Sequence, residues 1–240
     1  MVLLIADPGP LRAAIEDDLR RAGNDVAVRT PSDDDLWLAA RGRRAVVYLP
    51  AANLFEALVA PAPSVARLDE ALAAAGAPGV EVLVPVFPDH PAFDVEVDAL
   101  RRHGRPYAAL RAPALLEEIA SLVPSGGRAL WLPRLGQARV ATAAAVAGAV
   151  REAIDTEWQG RVTPIPSDRL DAAELVRRAA ATSGRTLSVR ALGPWLYRFA
   201  RSLLRWLRRR EAALLDALAP LIPELSAPDR RALPPARVSP

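Results

Sequence analysis

The chain has 240 residues, 51% of them apolar, with 31 basic and 28 acidic side chains and a net charge of +3. That is enough to bury a substantial core, and charges that alternate in sign through most of the chain argue against a nucleic-acid partner. There is no Lys and no Cys, which excludes an imine-forming or phosphate-loop lysine, a thiolate nucleophile, a disulfide and a Cys-ligated zinc.

The first apolar run, VLLI at 2–5, passes through DPGP into an amphipathic pattern from Leu11 to Ala22 that stops at Gly23. The runs VAVR (26–29), AVVYLP (45–50), VEVLVPV (80–86), YAALRA (107–112) and RALWL (128–132) read as further strands. Between them, PSDDD reads as a helix N-terminus capped by Ser32 or Asp33, VAPAPS (59–64) as an ordered loop entering a helix over 65–75, and Val95 to His103 as a helix ended by Gly104. Alternating strands and helices imply right-handed crossovers and a doubly wound parallel sheet over residues 1–160.

From Arg161 the pattern changes to a short strand, a helix with Leu170, Ala173, Leu175, Val176 and Ala179 on its apolar side, a stop at Gly184 and another short strand. PWLYRFARSLLRWLRRR (194–210) then reads as a basic amphipathic helix. Residues 161–225 are expected to form a small α/β appendage, with an irregular tail over 226–240. No uncharged apolar run reaches the length of a membrane span. Met1 leads straight into a strand without a leader pattern, so the expected compartment is the cytoplasm.

Asp89, His90 and Asp94 cluster in sequence after the fourth strand and are the candidates for acid/base work. Their spacing, with His103, fits no recognised metal-ligand pattern, so no metal is expected. Asp33, Asp34 and Asp35 follow the second strand, where they read either as a helix N-terminus or as an acidic ribose ligand.

Several segments, in order, resemble the short-chain dehydrogenase/reductase superfamily in its extended or atypical branch, which includes epimerase/dehydratase-like and NmrA-like proteins. The glycines of the family's GxxGxxG turn fall on Ala6, Gly9 and Arg12. AVVYLPAA (45–52) resembles the cofactor-lining strand. VDALRRHGRPYAALRAPAL (97–115) resembles a helix, strand and loop of the family, with Gly104, Pro106, Tyr107, Leu110, Arg111 and Pro113 on matching positions. VATAAAVAGAV (140–150) resembles a segment in which two Asp stand at Ala144 and Ala145, and residues 170–200 resemble the late helix, strand and entry of the substrate-binding part.

The resemblance implies a Rossmann fold whose cofactor would meet Gly9, Leu11, Arg12, Arg29, Tyr48 and Ala51, with Arg29 toward a 2′-phosphate, and a ligand pocket at Phe87, Arg111 and Trp195. The departures lie where the family's chemistry lies. Arg12 replaces the third glycine, Pro8 and Pro10 remove amide donors from the turn, and Asp7 adds a negative charge. The family's Tyr and Lys fall near Asp89 and Phe93, and its Ser near Val86 or Phe87.

The expected function is a catalytically degenerate reductase-like protein, with no NAD(P) or weak NAD(P) binding, that holds a small-molecule ligand or a partner protein without hydride transfer. The alternatives are an NAD(P)-dependent reductase or epimerase, or a cofactor-free lyase, isomerase or cyclase in the same crevice. The resemblance also implies a homodimer through the helices at 65–75 and 95–103. The 194–210 helix is expected to cover the substrate side, with a peripheral membrane contact, or anchoring of a partner through Trp195 and Trp206, as the other readings.

Overall fold

A computed structural model describes residues 1–123, 129–134, 136–156, 160–185, 187–193, 209–222 and 225. The chain divides into two compact units, one of Met1–Ser121 with Arg139–Asp168, the other of Leu122–Ala138 with Arg169–Pro240.

The first unit opens with β1 (Val2–Ile5), α1 (Pro10–Arg21), β2 (Val26–Arg29), α2 (Leu36–Ala40), β3 (Ala45–Tyr48), α3 (Leu54–Val59), α4 (Val65–Ala75) and β4 (Val82–Pro88). A short 3-10 turn at Pro91–Phe93 leads into α5 (Asp94–His103), followed by β5 (Ala108–Ala112), β6 (Ala114–Leu115) and α6 (Leu116–Leu122). After an excursion through β7 (Leu130–Pro133) the chain returns with β8 (Ala138–Ala141), α7 (Ala143–Asp155) and β9 (Arg161–Pro164), and β10 (Asp168–Leu170) leaves the unit.

Six strands form one parallel sheet in the order β2-β1-β3-β4-β5-β9. The doubly wound α/β arrangement expected from the sequence is therefore present. The central strands β1 and β3 are buried on both faces. Ala45, Val47 and Leu49 face one layer with Leu11, Ile15 and Leu19 of α1 and Val146, Val150 and Ile154 of α7. Val46 and Tyr48 face the other, with Leu36 of α2, Leu68 and Leu72 of α4, and Val97 and Leu100 of α5. Such near-continuous apolar runs are the pattern that parallel strands with helices on both sides require.

Local chemistry fixes most helix ends. Pro10 starts α1, Asn53 caps α3, Ser64 caps α4 and Thr142 caps α7, the last three by accepting a backbone N–H three residues on. Gly104 ends α5 at φ 71°, in the left-handed region where a Cβ is strained. Neither Ser32 nor Asp33 caps α2. That helix begins at Leu36 after Asp35, which makes no side-chain cap bond, because Asp33 is engaged one turn earlier. Its carboxylate accepts Thr30 N–H at 2.8 Å and Thr30 Oγ1–H at 2.9 Å.

In the second unit β7 pairs in parallel with β11 (Val189–Leu192), and α8 (Ala172–Thr182) buries Ala173, Leu175, Val176, Ala179 and Ala180. Asp171 caps α8 through Glu174 N–H at 2.9 Å. The last described helix is α9 (Arg209–Leu218). Trp195 and nearly all of the 194–210 segment lie outside the described residues.

Candidate ligand crevice

The order of strands reverses at β1, whose neighbours β2 and β3 are reached by crossovers running in opposite directions. In open α/β sheets ligands enter at such a point, outside the carboxyl ends of the strands. The residues there are Ala6 to Arg12 after β1, Arg29 to Asp35 after β2 and Leu49 to Asn53 after β3.

The turn after β1 delivers the N-terminus of α1. Its cap residue Gly9 is extended, its carbonyl accepts Ala13 N–H at 3.2 Å, and no side chain caps the helix. Pro8 and Pro10 have no N–H, so Gly9, Leu11 and Arg12 supply the remaining amides. Leu11 can contribute only through its backbone, since its side chain is buried under α1. Arg12 is half-buried and makes no hydrogen bond or ion pair among the described residues. Asp7 does not stand alone: Arg67, in the first turn of α4, lies 3.9 Å from its carboxylate.

A Cβ built on Gly9 would stand 2.7 Å from the carbonyl oxygen of Ala52. The room that a missing side chain leaves is taken by the chain's own β3–α3 loop. A dinucleotide seated here as in a GxxGxxG turn would meet a turn that lacks two amide donors.

At the end of β2, Arg29 donates to Asp35 at 3.2 Å and to its neighbour's carbonyl, Val28 O, at 3.0 Å. Its guanidinium is already engaged where a 2′-phosphate would approach. The Thr30 hydrogen bonds, backbone first, hold the Asp33 carboxyl below the usual carboxylate range. Asp34 opens instead onto a surface cavity of about 250 Å³ with Ser32, Trp37 and Glu70.

Tyr48 is fully buried and faces the α4/α5 layer, and its hydroxyl has no hydrogen-bond partner among the described residues. Burial, and then the Glu96 carboxylate, push its pKa far above the ordinary phenol value. Ala51 is half-buried on the same side.

Past β4 and β5, two arginines bind the acid/base candidates. Arg139 donates to Asp89 and, at 3.1 Å, to Ser167 Oγ. Arg111 donates to Asp94, to Pro88 O at 3.0 Å and to His90 O at 3.1 Å, with its guanidinium 5.9 Å from the centre of the Phe87 ring. Phe87 itself is wholly buried. His90 Nδ1 accepts Ala92 N–H at 3.1 Å and so caps the short 3-10 turn, leaving Nε2 as its only uncommitted nitrogen. Asp89, His90, Asp94 and Arg111 are thus brought together, and three of the four are tied by ion pairs. No group of three or more metal-ligating side chains occurs among the described residues.

Sequence reasoning missed the buried and distant carboxylates. Glu118 accepts Leu54 N–H at 2.9 Å and Phe55 N–H at 2.7 Å, pinning α3 behind the crevice loop. Burial raises its pKa, against the lowering effect of these amides. Glu117 accepts Ala143 N–H through both oxygens at 3.1 Å, a carboxylate at the start of α7, where Ala144 and Ala145 carry none. Glu96 of α5 is 0% exposed and accepts Ser64 N–H at 2.6 Å. For the first two the sequence held a signal, two acids inside the apolar run ALLEEIA. Arg67 and Arg139 carried none, since their partners are distant in sequence.

No protein-family model and no curated protein matches the chain. Solved structures do match in fold. A nucleoside-diphosphate-sugar epimerase from Pseudomonas aeruginosa is 17% identical, with a TM-score of 0.57 over 88% of this chain and 86% of its own. The triphenylmethane reductase of a Citrobacter species, complexed with NADP(H), is 14% identical, with a TM-score of 0.59 over 95% and 92%. The UDP-glucose 4-epimerase of Thermus thermophilus, complexed with NAD, is 14% identical, with a TM-score of 0.57 over 80% and 86%. With its six-stranded parallel sheet, this chain has the Rossmann-type fold of these epimerases and of this reductase.

Proposed function

We propose that the chain is a catalytically degenerate member of the atypical branch of the short-chain dehydrogenase/reductase superfamily, which binds a small anionic molecule or a protein partner without transferring hydride. The observation that carries this reading is what stands on the catalytic positions. Phe93 and both Val86 and Phe87 are buried in the core, where Lys and Ser would act. Asp89, where Tyr would act, is bound by Arg139. A carboxylate taken up by a guanidinium does not offer the free hydroxyl with which a phenol would approach a carbonyl. A fold of this kind persists without its chemistry.

One observation favours a second reading, that of an NADP-dependent reductase or epimerase. Arg12 is a half-buried cation without a partner among the described residues, at a helix N-terminus. A guanidinium there can meet a phosphate.

The test is a titration with NAD, NADH, NADP and NADPH, following thermal midpoint and tryptophan fluorescence, with transfer of label from deuterated NADPH as the readout of chemistry. The expected result is no labelled product from any carbonyl or nucleotide-sugar substrate tried. Saturable binding of one cofactor together with label transfer overturns the reading in favour of the second.

A further inference from the structure

Of the three acids that follow β2, two are taken up within the chain and one is not. Asp33 accepts from Thr30, and Asp35 holds Arg29 at 3.2 Å. Asp34, between them, is exposed and makes no hydrogen bond or ion pair among the described residues. On α4 the pattern repeats. Arg67 faces Asp7, while Glu70, one turn later, is exposed and has no hydrogen bond or ion pair among the described residues.

Asp34 and Glu70 line the same surface cavity of about 250 Å³, between the start of α2 and one face of α4. The cavity exists because α4 presents Glu70, Ala73 and Ala74 there, spaced i, i+3 and i+4, and two of these three side chains stop at a methyl. Its buried lining is apolar, with Pro31 and Leu36 beside Ala74, and Trp37, 44% exposed, adds an indole. No basic residue lines it, in a chain whose net charge is +3.

These features select a class of ligand. Unpaired carboxylates on two separate elements attract a cation, and a cation that can lie on an indole face gains a further cation–π contribution. A guanidinium does both, since its planar fork donates to carboxylates and stacks on aromatic rings, and it is more weakly hydrated than an ammonium. The apolar lining suits a short hydrocarbon stem. At the ~30 Å³ that a water occupies in the liquid, the cavity has room for about eight non-hydrogen atoms. A metal ion is less well served, since no group of three or more ligating side chains occurs among the described residues.

We propose that the cavity between α2 and α4 is a binding site for a small guanidinium compound with a short apolar stem, held by Asp34 and Glu70 and stacked on Trp37. None of its lining residues belongs to the turn after β1 or to the Leu49–Asn53 loop. The site therefore stands whether or not the crevice keeps a ligand of its own.

The test is a titration of the full chain with n-propylguanidinium chloride at constant ionic strength, with n-propylurea as the neutral compound of the same outline. The readout is the indole N–H resonance of Trp37, assigned by its loss in Trp37→Phe. Saturable movement with propylguanidinium and none with propylurea is expected. Asp34→Asn and Glu70→Gln should each weaken binding roughly tenfold, the worth of one hydrogen bond to a charged group. Ala73→Leu should abolish binding by filling the cavity. Asp69→Asn, which changes an exposed acid of α4 outside the cavity, should leave it unchanged. All four positions are exposed, so these chains should keep the melting midpoint of the wild type. An equal response to propylurea, a shift that never saturates, or equal weakening by Asp69→Asn and Asp34→Asn overturns the proposal. N-acetylarginine methylamide separates two sources of the same head group. Binding no tighter than that of propylguanidinium supports a free small molecule, and tighter binding overturns that assignment in favour of an arginine on a partner protein.

Discussion

The carbonyl oxygen of Ala52 lies 2.7 Å from the point where a Cβ would stand on Gly9. The one glycine that survives in the turn after β1 is thereby explained by packing of the chain against itself. Gly9→Ala should then destabilise the fold whatever the ligand, since the atom displaced is backbone and cannot rotate away. The expected loss is about 1–3 kcal/mol, the range for an overpacked methyl. It corresponds to a drop in melting midpoint of roughly 2–4 °C per kcal/mol for a chain of this size. Urea unfolding measures it. Unchanged stability would mean that the β3–α3 loop yields and that Gly9 is retained for something outside the chain.

The arginines beside that turn should differ in what they do. Arg12 has no partner to lose among the described residues, so Arg12→Ala should leave the melting midpoint nearly unchanged while weakening pyrophosphate binding by about 1.5–3 kcal/mol, the worth of a hydrogen bond to a charged group. Arg67→Ala should weaken the same binding indirectly, by leaving Asp7 uncompensated, and the added change Asp7→Asn should restore it. Thermal shift against inorganic pyrophosphate at two salt concentrations checks both. Equal binding by all variants would remove the turn from the list of anion sites.

Arg111 has a structural engagement that its sequence position does not announce. Its place at the end of β5 follows from the strand pattern, and pocket lining was expected of it. Its donors hold Pro88 O, His90 O and Asp94, joining the end of β4 to the first turn of α5. Arg111→Leu should leave those two carbonyls without these donors and cost about 1–3 kcal/mol. Amide exchange should rise at Phe93 to Val97 before it rises elsewhere in the sheet. Uniform loosening of the whole sheet would show that the guanidinium matters to packing and not to this joint.

The sheet was legible in the sequence for a simple reason. Strands such as VLLI and AVVY, buried on both faces, announce themselves as apolar runs, and α1, α4 and α5 carry 3.6-residue spacing with Pro10, Ser64 and Gly104 at their ends. The carboxylates were not legible, because what they do depends on partners far along the chain. Glu118 reaches back to Leu54 and Phe55, and Glu96 to Ser64. Asp33 was misread as a helix cap on the same principle at short range: the PSDDD pattern offers several carboxylates, and only the fold decides that Thr30 takes this one.

Glu118 offers a pH test whose sign is fixed by the competition at its site. Burial opposes its ionised form and is the largest influence, while the backbone amides of Phe55, Leu54 and Leu115 favour it, so its folded pKa is raised. A group whose pKa is raised on folding contributes stability in full below its unfolded pKa, and loses that contribution as pH rises through the folded value. The wild-type chain should therefore lose stability from about pH 4.3, the ordinary glutamate value, upward through the folded pKa. Glu96 works in the same direction, whereas Asp33, whose pKa is lowered by Thr30, loses its contribution as pH falls. In Glu118→Gln the side chain keeps one acceptor for two amides, so the variant should be less stable at low pH by about 1–3 kcal/mol. The gap should narrow with rising pH, since only the wild-type chain retains the titrating group. Urea unfolding of both chains across this range reads the difference directly. A gap that widened with pH would show that the carboxylate, held by Leu54 and Phe55, is the form that stabilises α3, and that burial had been given too much weight.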